Sequence, residues 1–305
     1  VLGLVLLAGC GDDDPVVVGP STTPTSAPAY DPELEPAAAV LPLVPDDATV
    51  LEVTDFDQAR FQLGFGELSS ASDPAVLTRF AQQAATRAPL LTQGMLVGSG
   101  YLERYGFSQD DVSWEAHFDG PAGEGYVLAF RDDLDMAPVQ DASDAPDGPL
   151  SGSVVVPAAH VAALGAVREP EESLAADPVL RSLVGPVAAA TYLSTTCVDR
   201  EEAFGDAAGD LAPTPAALLD DLQELGPFSV TLGARLASAR LGTGRGDVFV
   251  RARLAADLPA EEFEAAYDDP VADPSTGRIG FRLRDRAAAA DLARERRLPF
   301  AVCGP

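Results

Sequence analysis

The sequence predicts an α+β protein of two similar lobes, each a mixed or antiparallel sheet with packed helices. Three observations carry this. Alternating apolar segments come in hairpin-like pairs, capped helices lie between them, and the same order of elements runs twice along the chain, which reads as an internal duplication.

In the first lobe, Thr49–Thr54 alternates like a strand, and Phe56–Leu63 reads as a short helix ended by Gly64. Ala190–Thr196, then Val198–Phe204 and Gly205, repeat that order. A longer helix follows each. The first has Asp73 as N-cap and Pro74 at N1, with Val76, Leu77, Phe80, Ala81 and Ala84 on one face. The second has Thr214 and Pro215, then Leu218, Leu219, Leu222 and Leu225, stopped by Gly226-Pro227.

Next, Val112–Phe118 and Tyr126–Arg131 predict a hairpin around Asp119-Gly120-Pro121. Phe228–Arg240 and Asp247–Leu254 predict another around the turn from Gly242 to Gly246. Helices are expected near 133–141 and 259–267, then strands at Gly152–Val156 and Gly280–Arg284, then Ala-rich helices from Pro157 and Asp285. The lobes are placed at 47–186 and 187–305.

Upstream of them, residues 10–46 are rich in Pro, Ser, Thr, Ala and acid. Such a segment buries too little apolar surface to offset its ordering entropy, so it is expected to be a disordered tether. Before it, Leu7-Ala8-Gly9-Cys10 closes a short apolar run and leads directly into Gly11 and Asp12, Asp13 and Asp14.

That junction resembles a bacterial lipobox. The resemblance implies that residues 1–9 are the remnant of a signal peptide, that Cys10 carries a diacylglyceryl thioether, and that its new amino group is acylated. The partner would then be a membrane, reached through lipid at the outer face of the cytoplasmic membrane. All 20 basic residues are Arg, Lys and Asn are absent, and Ile279 is the single isoleucine, as expected of GC-rich coding DNA. With the lipobox, the chain resembles an actinobacterial envelope lipoprotein. The resemblance covers anchor and tether and transfers no catalytic residue.

Three cysteines suit that compartment. With Cys10 used for lipid, Cys197 and Cys303 remain, and we expect them to pair, the alternative being two separate buried thiols.

The net charge is −28, and it is uneven: residues 1–150 hold 25 Asp/Glu against 5 Arg, the remainder 23 against 15. An acidic surface of this kind repels phosphate backbones, which argues against nucleic acid as a partner. One stretch runs the other way, with Arg278, Arg282, Arg284, Arg286, Arg294, Arg296 and Arg297 close together. Two readings stand: ion pairs and solvated faces, or an anionic-ligand site in which Arg282 and Arg284 project together from one face of a strand.

Catalytic patterns are sparse. His117 shares a strand face with Ser113 and Glu115, readable as a Ser-acid-His cluster or as the solvent side of a half-buried strand whose inner side is Val112, Trp114, Ala116 and Phe118. His160 falls on the expected Ala-rich helix as a structural or surface residue. No Gly-x-Ser-x-Gly elbow occurs. Asp141, Asp144 and Asp147 before Gly148 lack the alternate-position oxygens of a calcium loop, and no His/Cys cluster suggests zinc. Gly242, Gly244 and Gly246 sit in a turn between expected strands, not a dinucleotide loop, and Arg245-Gly246-Asp247 offers only a short adhesion-like tripeptide.

No catalytic residue, metal or cofactor is therefore assigned. The expectation is a lipid-anchored extracytoplasmic protein with a non-enzymatic structural role or a role in binding an envelope protein or small ligand. The alternative is a hydrolase whose residues converge only in three dimensions.

Overall fold

In the computed structural model, residues 27–205, 218–257 and 261–305 are described. Cys10, the signal remnant, the first part of the tether and the helix start at Thr214 and Pro215 lie outside them.

The α+β class holds, with ten antiparallel strands in one sheet. The strands are β1 (Val50–Asp55), β2 (Val112–Asp119), β3 (Gly125–Phe130), β4 (Val154–Val156) and β5 (Val161–Leu164), then β6 (Ala190–Ser194), β7 (Phe228–Leu232), β8 (Leu236–Arg240), β9 (Tyr267–Asp273) and β10 (Arg278–Leu283). Their order across the sheet is β4-β5-β3-β2-β1-β6-β7-β8-β10-β9. The two lobes expected from sequence are thus two halves of a continuous sheet, joined where β1 pairs with β6 and Glu52 lies opposite Tyr192. Read outward from that junction, both halves place their strands in the same succession.

Several elements differ from the expectation. Phe228–Arg240 is two strands, because the chain reverses at Gly233, whose N–H donates to the Leu236 carbonyl at 2.9 Å. A Cβ at Gly233 would stand 3.2 Å from that same oxygen. The expected strand Asp247–Leu254 is helical. Val248, Arg251, Ala252, Leu254 and Ala255 are the buried positions, a helical spacing that the local Val/Arg/Ala alternation obscured.

Pro157 opens only a single 3-10 turn, Pro157–Ala159, before β5. His160 closes that turn at φ 51° and is not on a helix. Strand β9 was not anticipated; it contains Pro270 and forms a sheet edge, where a missing N–H is tolerated.

The helices are α1 (Pro36–Val40), α2 (Phe56–Leu63), α3 (Pro74–Arg87), α4 (Tyr101–Tyr105) and α5 (Ala137–Asp144), followed by α6 (Pro178–Leu183), α7 (Arg200–Phe204), α8 (Val248–Asp257), α9 (Glu261–Ala266) and α10 (Arg286–Arg294). Helix α1 and the turn Leu41–Leu43 correct the tether boundary. Val40, Leu41 and Val44 are buried with Leu51, Val53 and Trp114, so the packed body begins well before residue 47. Ala-Ala-Ala-Val-Leu-Pro-Leu-Val carries enough apolar surface to dock once Pro36 starts the turn.

In the β1–β5 half both faces carry packed side chains, though the edge strand β4 leaves Val154 and Val156 exposed. Leu51, Ala116, Phe118 and Val127 face α1 and α6, while Leu128 and Phe130 join Tyr101, Phe107 and Val139 on the other side. In the β6–β10 half, Tyr192, Val230, Ala239, Ile279 and Phe281 pack beneath α8, α9 and α10. The reverse face of its outer strands is left partly open, with Leu236 and Val271 exposed.

Candidate functional site

A cavity of about 630 Å³ opens over the sheet beside the junction. Antiparallel register aligns its polar side chains with a buried tyrosine: Tyr126 on β3 lies opposite His117 on β2, His117 opposite Glu52 on β1, and Glu52 opposite the buried Tyr192 on β6. Directly opposed residues share a face, so the four form a row. Glu52, His117, Asp119, Glu124 and Tyr126 line the cavity with Val50, Met95, Phe118 and Leu164.

The two tyrosines of the row are held from behind. The Tyr126 hydroxyl reaches the Pro149 carbonyl at 2.9 Å and pairs with Ser153 Oγ at 3.0 Å. Burial raises its pKa, with the Ser153 hydrogen bond opposing. Tyr192 accepts from Arg296 Nη1 at 3.3 Å. Burial also raises the pKa of Glu52, which the charges of Arg294 and His117 pull back down.

The His117 Nε2 atom lies 3.0 Å from Glu115 Oε1. Glu115 is fully buried, and its other oxygen accepts from the Met95 N–H at 2.9 Å and from Gln109 Nε2 at 3.3 Å.

This corrects the view of Ser113, Glu115 and His117 as a plain solvent face. The segment carrying Met95 folds over Glu115, a long-range contact invisible in strand alternation. The structure brings Glu115 and His117 together but not Ser113, which falls at the register shift between Val112 and Trp114 and does not line the cavity. Glu52 was not singled out from sequence, although its place between Leu51 and Val53 put it on the face opposite theirs.

At the far end of β1, Asp55 caps α2 by accepting from the Gln58 N–H at 2.8 Å. Burial raises its pKa to about 7, the Gln58 hydrogen bond opposing.

Arg282 and Arg284 are not an open cradle. Arg282 sits 2.5 Å from Asp268 and 2.9 Å from Asp269, and Arg284 3.0 Å from Asp268. Strand β9, unrecognised in the sequence, brings those carboxylates alongside β10, so the pair is architecture and the ligand reading at these two residues is withdrawn. Arg294, Arg296 and Arg297 likewise meet Asp291, Glu202 and Glu262.

The Cys197 and Cys303 sulfurs lie at bonding distance, with Cα atoms 5.0 Å apart. Beside them the buried Arg251 donates to the carbonyls of Phe300 at 3.0 Å and Val302 at 2.7 Å, and to Asp247 at 2.7 Å. Asp247 also pairs with Arg245, and its carboxylate is 1% exposed, so the Arg245-Gly246-Asp247 tripeptide turns inward and presents no acid to a receptor. Among the described residues no group of three or more His, Cys, Asp or Glu side chains could hold a metal ion, and no helix is long and apolar enough to cross a membrane.

These features define an α+β protein on one ten-stranded antiparallel sheet with a carboxylate- and imidazole-lined cavity beside its centre. No protein family, curated protein or solved structure matches the chain.

Proposed function

We propose that this chain is a lipid-anchored extracytoplasmic protein, held at the outer face of the cytoplasmic membrane through Cys10, that binds an envelope partner or small ligand without transforming it. The cysteine distribution carries the reading. Cys197 and Cys303 meet at bonding distance, a pairing that persists in oxidising compartments, and Cys10 is the remaining thiol, set in Leu7-Ala8-Gly9-Cys10. The cavity with Glu52, His117 and Glu124 is the proposed seat of the ligand, since a concave apolar floor with a few convergent polar groups is the usual form of a binding site.

Expression of the full precursor beside its Cys10→Ser variant tests the anchor. The parent should incorporate labelled fatty acid and sediment with membranes, and the variant should do neither. Equal lipid labelling and equal membrane retention overturn the proposal.

One observation favours a second reading, an extracytoplasmic hydrolase. His117 is backed by the buried Glu115 carboxylate and lines the cavity, an arrangement suited to a general base acting on water. A panel of chromogenic esters and glycosides separates the two. Turnover by the parent that vanishes in His117→Gln selects the hydrolase, and turnover no greater than buffer for both proteins selects binding.

A further inference from the structure

The reverse face of β8, β10 and β9 carries a second cavity, of about 810 Å³, whose charged lining is Arg235, Arg278, Arg282, Asp269 and Asp273, with Val187, Leu236 and Val271 at its margins. Those three aliphatic side chains are 64%, 68% and 67% exposed. Beside this cavity Arg278 on β10 lies directly opposite Arg240 on β8. Like charges opposed across two strands repel, so this register is costly unless something negative lies between or above them.

Among the described residues neither arginine is ion-paired, although the Asp273 carboxylate lies opposite Arg278 on β9. Arg278 donates through Nε and Nη2 to Ser238 Oγ, both at 3.3 Å, and Arg240 donates to the Ser182 carbonyl at 3.0 Å. Arg240 Nε is buried without a partner. Burial and the adjacent Arg278 charge lower the Arg240 pKa. The neighbouring acids keep their charge but turn to other donors: Asp269 to Arg282 at 2.9 Å, and Asp273, opposite Arg278 on β9, to the hydroxyls of Ser275 at 2.5 Å and Thr276 at 2.6 Å. In a chain with 48 acids and 20 arginines, carboxylates are plentiful, and the nearby Arg282 and Arg284 both have them.

We propose that Arg240 and Arg278 bind the oxyanion head of an amphiphile, a phosphate or carboxylate group whose apolar portion lies along Val187, Leu236 and Val271. Guanidinium groups present forked donors to such oxygens, and a charge-assisted contact on a partly buried sheet face outweighs one in open water. The exposed aliphatic margin would then be covered by the ligand's own chain. This site lies on the opposite face of the sheet from the Glu52–His117 cavity and does not depend on the role proposed there.

The test uses the full chain with decyl phosphate below its micelle concentration, inorganic phosphate, and decyl maltoside as an uncharged amphiphile, read by calorimetry and by thermal shift. Decyl phosphate should bind at least tenfold more tightly than inorganic phosphate, and decyl maltoside should not bind. Arg278→Gln should weaken decyl phosphate at least tenfold while melting no lower than the parent without ligand, because a repulsive neighbour has been removed. Arg240→Gln serves as a second variant with the same expected loss. Decyl phosphate affinity unchanged in both variants, decyl maltoside binding as tightly as decyl phosphate, or inorganic phosphate binding as tightly as decyl phosphate would each overturn the proposal.

Discussion

Strands β3 and β8 stand third from the junction on either side of the sheet, yet they are built for different surroundings. All six residues of β3, Gly-Tyr-Val-Leu-Ala-Phe, are buried. In β8, Leu-Ala-Ser-Ala-Arg, only Ala237 and Ala239 are buried. Antiparallel sheets allow either solution, one face wet or both dry. The β1–β5 half gained its second layer from α1, α6 and their connecting turns, whereas the β6–β10 half left one face partly open and clamped its carboxyl terminus with a disulfide and Arg251. Equivalent strand order therefore does not confer equivalent burial.

The largest effect that would break this comparison is expected at the clamp. Replacing Cys197 and Cys303 by Ala removes a link spanning 106 positions. Constraint of the unfolded chain alone predicts a loss of about 4 to 5 kcal/mol, reduced by any native strain. Equilibrium denaturation of parent and double variant measures it. A midpoint that does not move would mean that Arg251 and the apolar contacts hold the terminus unaided.

Leu128 on β3 probes the doubly covered half, being fully buried among Tyr126, Phe130 and Val139. Leu128→Ala should cost about 3 kcal/mol through lost transfer free energy and the cavity left behind. A loss below 1 kcal/mol in urea denaturation would show that the second layer collapses onto the gap.

The same contrast reverses the behaviour of aspartate. Burial in the covered half raises the Asp55 pKa to about 7, while hydrogen bonds from Ser275 and Thr276 lower that of Asp273 in the open half. The folded Asp55 binds its proton more tightly than the unfolded chain does. Its contribution thus favours folding at low pH and is lost as pH rises from the ordinary aspartate range through about 7. Asp55→Asn retains a good N-cap without the charge, so it should stabilise the protein at pH 8 by on the order of 2 kcal/mol, after discounting for water near the carboxylate, and by much less at pH 4. Melting temperatures across that range check the sign; a variant less stable at pH 8 refutes it.

Local signals made part of this legible in sequence. Asp73-Pro74 marked α3, Asp285 marked α10, and the alternation of Trp114, Ala116 and Phe118 marked β2, because caps and alternation depend on neighbours a few residues apart; Val112, expected on their face, packs on the other because the register shifts before Trp114. Glu115 was misjudged because its cover comes from Met95 and Gln109, and Arg282 and Arg284 because their carboxylates arrive on β9, whose Pro270 disguised it as loop. The row of Tyr126, His117 and Glu52 along the cavity, continued by the buried Tyr192, needed register across four strands, which no local pattern encodes. Val248–Asp257 failed for a different reason: alternation and helical spacing coexist in that segment, and packing beneath the carboxyl terminus chose the helix.

The smallest effect lies on the open face. Leu236 on β8 is 68% exposed at the margin of the Arg278 cavity, so Leu236→Ser removes little buried surface and adds a hydroxyl that water can satisfy. Surface exchanges of this kind change stability by no more than about 0.5 kcal/mol, against about 3 for Leu128→Ala. If the face is open in solution, thermal unfolding of Leu236→Ser should superimpose on the parent at low protein concentration and stay unchanged at high concentration. A loss comparable to that at Leu128, or one that appears only as concentration rises, would mean that this face is covered after all, within the chain or by a second copy. The difference between the halves would then lie in the source of the second layer rather than in its presence.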